Sequence, residues 1–361
     1  MGTPLAKKSF VVDLGGPNFW MDCDYGKYIS SSFKRSQCGS APCSVAKATC
    51  GGGCLPGHHR PACNIETCHV LIHNKLTGGE SDVGVISLDK ISLQSTQGSK
   101  AGPSVAISDF IFACAYDRGV GNLARGANGM VGLGRDQIAL PTQLSSAVGG
   151  SLRRNFAICL PSTSKSNGVI FFGDSPYVFY PGYNKSKAID VSSRFQHTQL
   201  YINTGFTGSS VVGGTKISTV EPYSKLETTI HKALVKAFDE EIAAWNASKV
   251  APVAPFTDCY TVGNMGMTVL GIGVPDIAFV LEGNKNLYWE MYGANSMVEV
   301  SRDVICLPFL DAGDETGIRT SIVMGAHQLQ DNLLQFDIAS NRLSFTSTLL
   351  LEEVECSNFK F

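Results

Sequence analysis

The sequence predicts an all-β-dominated protein of two lobes with a few short helices, and three observations support that class. The chain has 361 residues, beyond the size at which single hydrophobic cores stop growing, so it divides. Its 38 glycines and 15 prolines punctuate recurrent runs of Val, Ile, Phe and Thr, the pattern of many short strands and turns. A β-prone run ending in a tight turn occurs twice, at Phe10 to Gly16 and again at Gly213 to Val220. Only the first turn holds a carboxylate, Asp13; the second reads Ser218-Thr219-Val220. The lobes are expected at residues 1–160 and 161–361.

In chain order, Phe10 to Trp20 reads as strand, turn, strand, and Cys23 to Cys68 as loop. Six of the 12 cysteines, Cys38, Cys43, Cys50, Cys54, Cys63 and Cys68, crowd into residues 38–68. The even count points to an oxidising compartment and a disulfide-tied knob. His58, His59 and His69 lie among these thiols, but the paired Cys-x2-Cys spacing of common zinc modules is missing, so no metal site is expected. Asp82 to Ser95 alternates through Val83, Val85, Ile86, Leu88, Ile91 and Leu93 like a half-buried strand pair. Phe110 to Cys114 reads as a short apolar strand. Gly129-Met130-Val131-Gly132 precedes a short helix opened by Pro141. Asn155 to Leu160 and Gly168 to Gly173 are strand-like. From Pro222 to Trp245, Leu226, Ile230, Leu234, Phe238, Ile242 and Trp245 fall on one helical face, which predicts an amphipathic helix with that face in the core. Ile322-Val323-Met324-Gly325 repeats the hydrophobic-hydrophobic-Gly element, and Leu333 to Phe345 reads as a hairpin.

In this order, the Asp13-Leu14-Gly15 turn, the Gly129 to Leu144 stretch, Gly213 to Thr219, Gly293 to Val298 and Arg319 to Leu329 resemble the plant pepsin-like aspartic proteases. The resemblance is strongest to their non-proteolytic branch: xyloglucan-specific endoglucanase inhibitor proteins, extracellular dermal glycoproteins and basic 7S globulins. It implies a bilobal pepsin-like fold. Active members bring together two Asp-Thr-Gly or Asp-Ser-Gly turns whose carboxylates share one proton. Here Ser218 stands at the second position, Leu14 replaces the Thr, Val220 replaces a Gly, and Cys68 to Gly79 lacks the family's Tyr-Gly flap pair. No catalytic residue is therefore expected, Asp13 and Ser218 being degenerate positions. The resemblance also implies disulfides at Cys23, Cys114, Cys159, Cys259, Cys306 and Cys356 besides the knob, with Cys259 paired to Cys306 and Cys159 to Cys356. Between Asp190 and Gly213 the family has roughly three dozen further residues, so a shortened second lobe with a polar connection is expected.

Lys and Arg total 29 against 31 Asp and Glu, a formal net charge of −2 without a basic run. Nucleic acid and anionic membrane are thus excluded as expected partners, and no run is long enough to span a bilayer. Two sequons, Asn184-Lys185-Ser186 and Asn246-Ala247-Ser248, fit an extracellular protein of the apoplast or wall, although no signal segment precedes the fold in this sequence. No cofactor is expected. The resemblance implies a microbial glycoside hydrolase as partner, a xyloglucan-specific endoglucanase ahead of a xylanase. A small cysteine-rich peptide is the alternative. Arg319, in a polar loop, and Lys249, after the long helix, are the cations expected to enter the enzyme's cleft.

Overall fold

The computed structural model describes residues 1–23, 28–50, 66–77, 81–97, 100–115, 121–150, 152–174, 176–181, 188–199, 214–281, 287–313 and 320–359. The chain forms two compact units, Met1–Arg154 and Asn155–Phe361. The division falls a few residues before the expected one because Asn155–Cys159 is a buried inner strand of the second unit. It pairs antiparallel with Val169–Phe172 on one side and Leu333–Asp337 on the other.

The first unit is built on an eight-stranded sheet. Its largest piece is a ribbon of Ser81–Gln97, 17 residues, against Lys100–Ala115, 16 residues. The expected strand pair over Asp82 to Ser95 is therefore one strand, and Phe110 to Cys114 is the end of its partner. Register shifts at Asp89/Ile91 and Gln94/Thr96 let the ribbon bend without breaking. Val85, Ile86, Phe110, Phe112 and Cys114 are fully buried at one end of it, beside Trp20 and Met21 of the adjoining Trp20–Asp22 strand. Cys23 bridges to Cys114. In the knob, Cys38 bonds Cys50 and Cys43 bonds Cys68 around a short helix, Ala41–Val45, and two short strands, Lys34–Arg35 and Thr49–Cys50, where loop alone was expected. Those four sulfurs are oxidised and so are not thiolates for a metal. Cys54 and Cys63 lie outside the described residues.

In the second unit a five-stranded sheet runs Val169–Phe172, Asn155–Cys159, Leu333–Asp337, Arg342–Phe345, Gln196–Gln199. The expected polar connection after Asp190 thus contains a strand. Backbone pairing of Gln196–Gln199 with the edge of the closing hairpin requires no apolar pattern, which is why the sequence did not announce it. The Cys159–Cys356 bridge sits among Tyr177, Phe179, Leu333 and Leu349, and Cys259–Cys306 joins paired strands of a second sheet.

The long helix is Thr228–Ile242, shorter at both ends than the periodicity predicts. Leu226 belongs instead to the strand Ser224–Leu226, and the Glu227 carboxylate caps the helix by accepting from the amides of Thr229 (3.1 Å) and Ile230 (3.3 Å). After Ile242 the chain tightens into a 3-10 turn, Ala243–Trp245, that ends at Asn246 in the left-handed conformation, φ 60°. Three residues per turn instead of 3.6 rotates Trp245 off the helical face. It is 46% exposed rather than in the core. Among the described residues no helix is long and apolar enough to cross a membrane.

Candidate functional site

Val11–Asp13 runs parallel to Gly129–Gly132, with Asp13 opposite Gly132, and Trp20–Asp22 returns antiparallel on the other side of that strand. Gly132 passes so close beneath the turn that a Cβ there would stand 2.4 Å from Asn18 O and 2.5 Å from Gly16 O. This is the physical reason for a Gly after two hydrophobic residues. Asp13 is buried, and its Oδ1 accepts from the Gly15 amide at 3.2 Å and from Lys75 Nζ at 2.6 Å. Lys75 opens the turn Lys75–Thr77 in the connection between Cys68–His73 and Ser81–Gln97, where the active proteases place their flap. Asn74 braces that turn, accepting from the Leu76 amide (3.0 Å) and donating to Gly121 O (2.7 Å). A partly buried, charge-assisted pair of this length is among the stronger hydrogen bonds. Sequence reading missed Lys75. Its only signal was a cation in a hairpin where the family has an aromatic.

The second turn repeats the arrangement inside its own unit. Thr215–Ile217 runs parallel to Ile322–Met324, and Ser224–Leu226 returns antiparallel beside that strand while running parallel to Phe309–Asp311. Trp20 faces Met130 and Lys225 faces Val323, each the first hydrophobic residue of its hydrophobic-hydrophobic-Gly element. Asp13 precedes Trp20 by the same interval as Ser218 precedes Lys225, so Ser218 holds the position that Asp13 holds in the first unit. Ser218 is buried, and its hydroxyl oxygen accepts from the amides of Val220 (3.3 Å) and Glu221 (3.2 Å). Behind the turn, Gln328 accepts from Ser224 Oγ (2.8 Å) and donates to Asn295 O and Pro308 O, both at 3.2 Å. Ser224, Gln328, Asn295 and Pro308 are buried, and these hydrogen bonds fix the turn's support.

His327 flanks this network, its Nε2–H donating to Met297 O at 3.0 Å. Burial holds the imidazole below its ordinary value of 6.5, partly offset by that hydrogen bond. Between the lowered folded value and 6.5 the unfolded chain binds more protons, so stability is complete above pH 6.5 and is lost as pH falls below it. Unfolding midpoints measured between pH 7 and 5 should therefore fall more for the wild type than for His327→Gln, which keeps a donor for Met297. Identical slopes would refute the assignment.

Two family models match the chain: one described as Xylanase inhibitor N-terminal over residues 1–174, the other as Xylanase inhibitor C-terminal over residues 189–347. The chain belongs to the xylanase-inhibitor family. It is similar to a Nicotiana benthamiana protein named Probable aspartic proteinase GIP2, with 40% identity over 99% of this chain and 87% of that one. It is also similar to Gamma conglutin 1 of Prunus dulcis, 36% identical over 99% of this chain and 84% of the relative. The GIP2 alignment spans 395 positions, more than the 361 residues present here, so it contains gaps in this chain. Among solved structures, that of edgp superposes with a TM-score of 0.89 at 39% identity, covering 100% of this chain and 93% of that one. Lupine conglutin gamma gives 0.84 at 31%, covering 99% and 93%. An aspartic proteinase from Irpex lacteus, at 14% identity and TM-score 0.60, shows the pepsin-like fold alone.

The structure treats the family member's other expected site residues unequally. Arg319 and Asn184 lie outside the described residues. Lys249 lies in the strand Lys249–Val250, its Nζ 2.8 Å from Asp258 Oδ1 and 2.9 Å from Asp239 Oδ2. Burial pushes its ammonium down, but the hydrogen bonds it donates to Asp258 and Asp239, with their negative charge, outweigh that and leave it raised. Asp239 also accepts from Tyr260 OH at 2.7 Å. Lys249 is thus neutralised within its own chain, which weakens its case as a free point charge for a partner. Asn246 is exposed.

Proposed function

We propose that this chain is an extracellular inhibitor of a microbial cell-wall glycoside hydrolase, a xyloglucan-specific endoglucanase ahead of a xylanase, and that it has no proteolytic activity. The observation behind this reading is the occupied first turn: Asp13 is engaged by Lys75, and the topologically equivalent residue is Ser218. Aspartic proteolysis needs two carboxylates sharing a proton, one activating water as base while the other acts as acid. A serine hydroxyl does not titrate in the working range, and the lone carboxylate already has a cationic partner. The two strand-turn frames remain as scaffold, and function passes to the loops that they support. The family's description as xylanase inhibitors supports a glycosidase partner.

Two measurements test this. Denatured globin should show no turnover at about pH 3–5, and Ser218→Asp alone should stay inactive because Lys75 still occupies Asp13; turnover blocked by a statin-type transition-state mimic would overturn the inactive reading. The inhibitory reading is checked by titrating the chain against a xyloglucan-specific endoglucanase and a xylanase. The similarity to Gamma conglutin 1 of Prunus dulcis and to Basic 7S globulin of Glycine max, 30% identical, favours one second reading, a wall or seed protein that holds a small cysteine-rich peptide. Failure to inhibit either enzyme, with peptide capture, would select it.

A further inference from the structure

In the second unit, Ile277–Val280 and Tyr288–Met291 form a two-stranded hairpin whose faces differ in kind. The inner face is fastened to the core. Trp289 is 3% exposed, stacks on Phe345 at 5.0 Å and donates its indole N–H to Asn332 Oδ1 at 3.2 Å, and Met291 is fully buried. Alternation turns Ala278, Val280, Tyr288 and Glu290 outward, with Ala278 paired to Glu290 and Val280 to Tyr288 across the strands. Val280 is 64% and Tyr288 40% exposed. Tyr292 follows in extended conformation, φ −80°, ψ 173°, and its hydroxyl donates to Glu290 Oε2 at 2.5 Å, which places it on the same face.

This outer face is acidic at one end and apolar at the other. Asp276, exposed just before the first strand, lies close enough to Glu290 that burial and then the Glu290 charge raise its carboxyl above the ordinary value. Burial and the Glu290 hydrogen bond raise the Tyr292 hydroxyl, and the charges of Glu290 and Asp276 add to that. Among the described residues neither carboxylate has a Lys, Arg or His in ion-pair reach. Two like charges held together without a counter-charge are relieved by a cation. A neutral sugar would leave their repulsion in place. The apolar pair, Val280 and Tyr288, lies two residues along the strands from Ala278 and Glu290, about 7 Å away. An extended peptide repeats at that same interval, so side chains two apart on it meet both ends of the face.

We propose that this face docks an extended basic segment of a partner polypeptide, with an arginine between Asp276 and Glu290 and an apolar side chain two residues away covering Tyr288 and Val280. Arginine suits the site better than lysine, because its planar fork pairs with carboxylate oxygens two at a time and its plane stacks on a tyrosine ring. Trp289 and Met291 hold the strand from beneath, so the face is presented without the cost of ordering it. The inference stands apart from the inhibitory reading, since it uses neither the Arg319 loop nor Lys249.

The test is calorimetric titration of the full chain, at neutral pH and low ionic strength, with the peptide acetyl-Thr-Leu-Thr-Arg-Thr-amide. Binding is expected. Asp276→Asn combined with Glu290→Gln should raise the dissociation constant roughly tenfold, the worth of one hydrogen bond to a charged group, and citrulline in place of the peptide's arginine should raise it as far. Glu290→Gln keeps an acceptor for Tyr292, and the citrulline arm uses the unaltered protein, so it decides the question even where a variant misfolds. Tyr288→Ala should weaken the leucine peptide and leave one with alanine in leucine's place unaffected. No binding at about 1 mM peptide, equal constants for the arginine and citrulline peptides, or tighter binding of spermidine or cellohexaose than of the peptide would overturn the proposal.

Discussion

Removing the Cys159–Cys356 bridge, as Cys159→Ala with Cys356→Ala, is expected to destabilise the second unit by about 5 kcal/mol, the upper end for a single disulfide. The bridge spans 197 residues, and the entropy that a crosslink removes from the unfolded chain grows with the logarithm of the loop it closes. Both cysteines are fully buried in the cluster of Tyr177, Phe179, Leu333 and Leu349, so little relaxation is available to fill the lost volume. The Cys356 amide also donates to Asp331 Oδ1 at 2.8 Å, tying the same segment to a carboxyl whose burial raises its pKa. The knob's Cys38–Cys50 bridge spans 12 residues, and the same relation predicts a loss about 2 kcal/mol smaller. Urea midpoints of the two double-alanine chains decide it. Equal losses, or a larger loss from the knob, would contradict the loop argument.

What the sequence showed and what it hid differ by the range of the determining interaction. Gly132 and Gly325 were legible because a Cβ at either would meet the backbone of a residue in a recurring turn, so the hydrophobic-hydrophobic-Gly element repeats wherever that turn does. The closing hairpin was legible through the family resemblance of Leu333 to Phe345, and its two strands, Leu333–Asp337 and Arg342–Phe345, pair locally. The Asp13–Lys75 pair was not. Its partners are 62 residues apart, and only the docking of a hairpin brings them together. Trp245 misled because periodicity assumes one pitch throughout, and a single 3-10 turn is enough to shift the face. Lys249 looked like a free cation until Asp239, from the preceding helix, and Asp258, beyond the next turn, closed on it.

Arg319→Ala is expected to weaken inhibition of a sensitive endoglucanase by about 2 kcal/mol or more, roughly 30-fold, the loss of a central buried anchor. A retaining glycosidase presents two carboxyl groups about 5–5.5 Å apart, and a guanidinium pairs two oxygens at once and stays charged at any working pH. Arg319 itself lies outside the described residues, but the feet of its loop do not. Ala312 N donates to Leu226 O at 2.7 Å on one side, and on the other Ser321 O accepts from Glu227 N at 2.9 Å. Asp311 reinforces the first foot by accepting from Thr228 Oγ1 (2.6 Å) and from the Gly313 amide (2.8 Å). Neighbouring residues thus hold both ends of the loop, which lowers the ordering cost of presenting a cation to a cleft. Lys249 has two carboxylates of its own, so Lys249→Ala should change inhibition by less than about threefold, within the range of a peripheral contact, while lowering the unfolding midpoint. Arg319→Ala should leave that midpoint unchanged, and Arg319→Lys, a charge without a fork, should fall between it and the wild type. Full inhibition by Arg319→Ala, or a larger loss from Lys249→Ala, would move the contact elsewhere on the second unit.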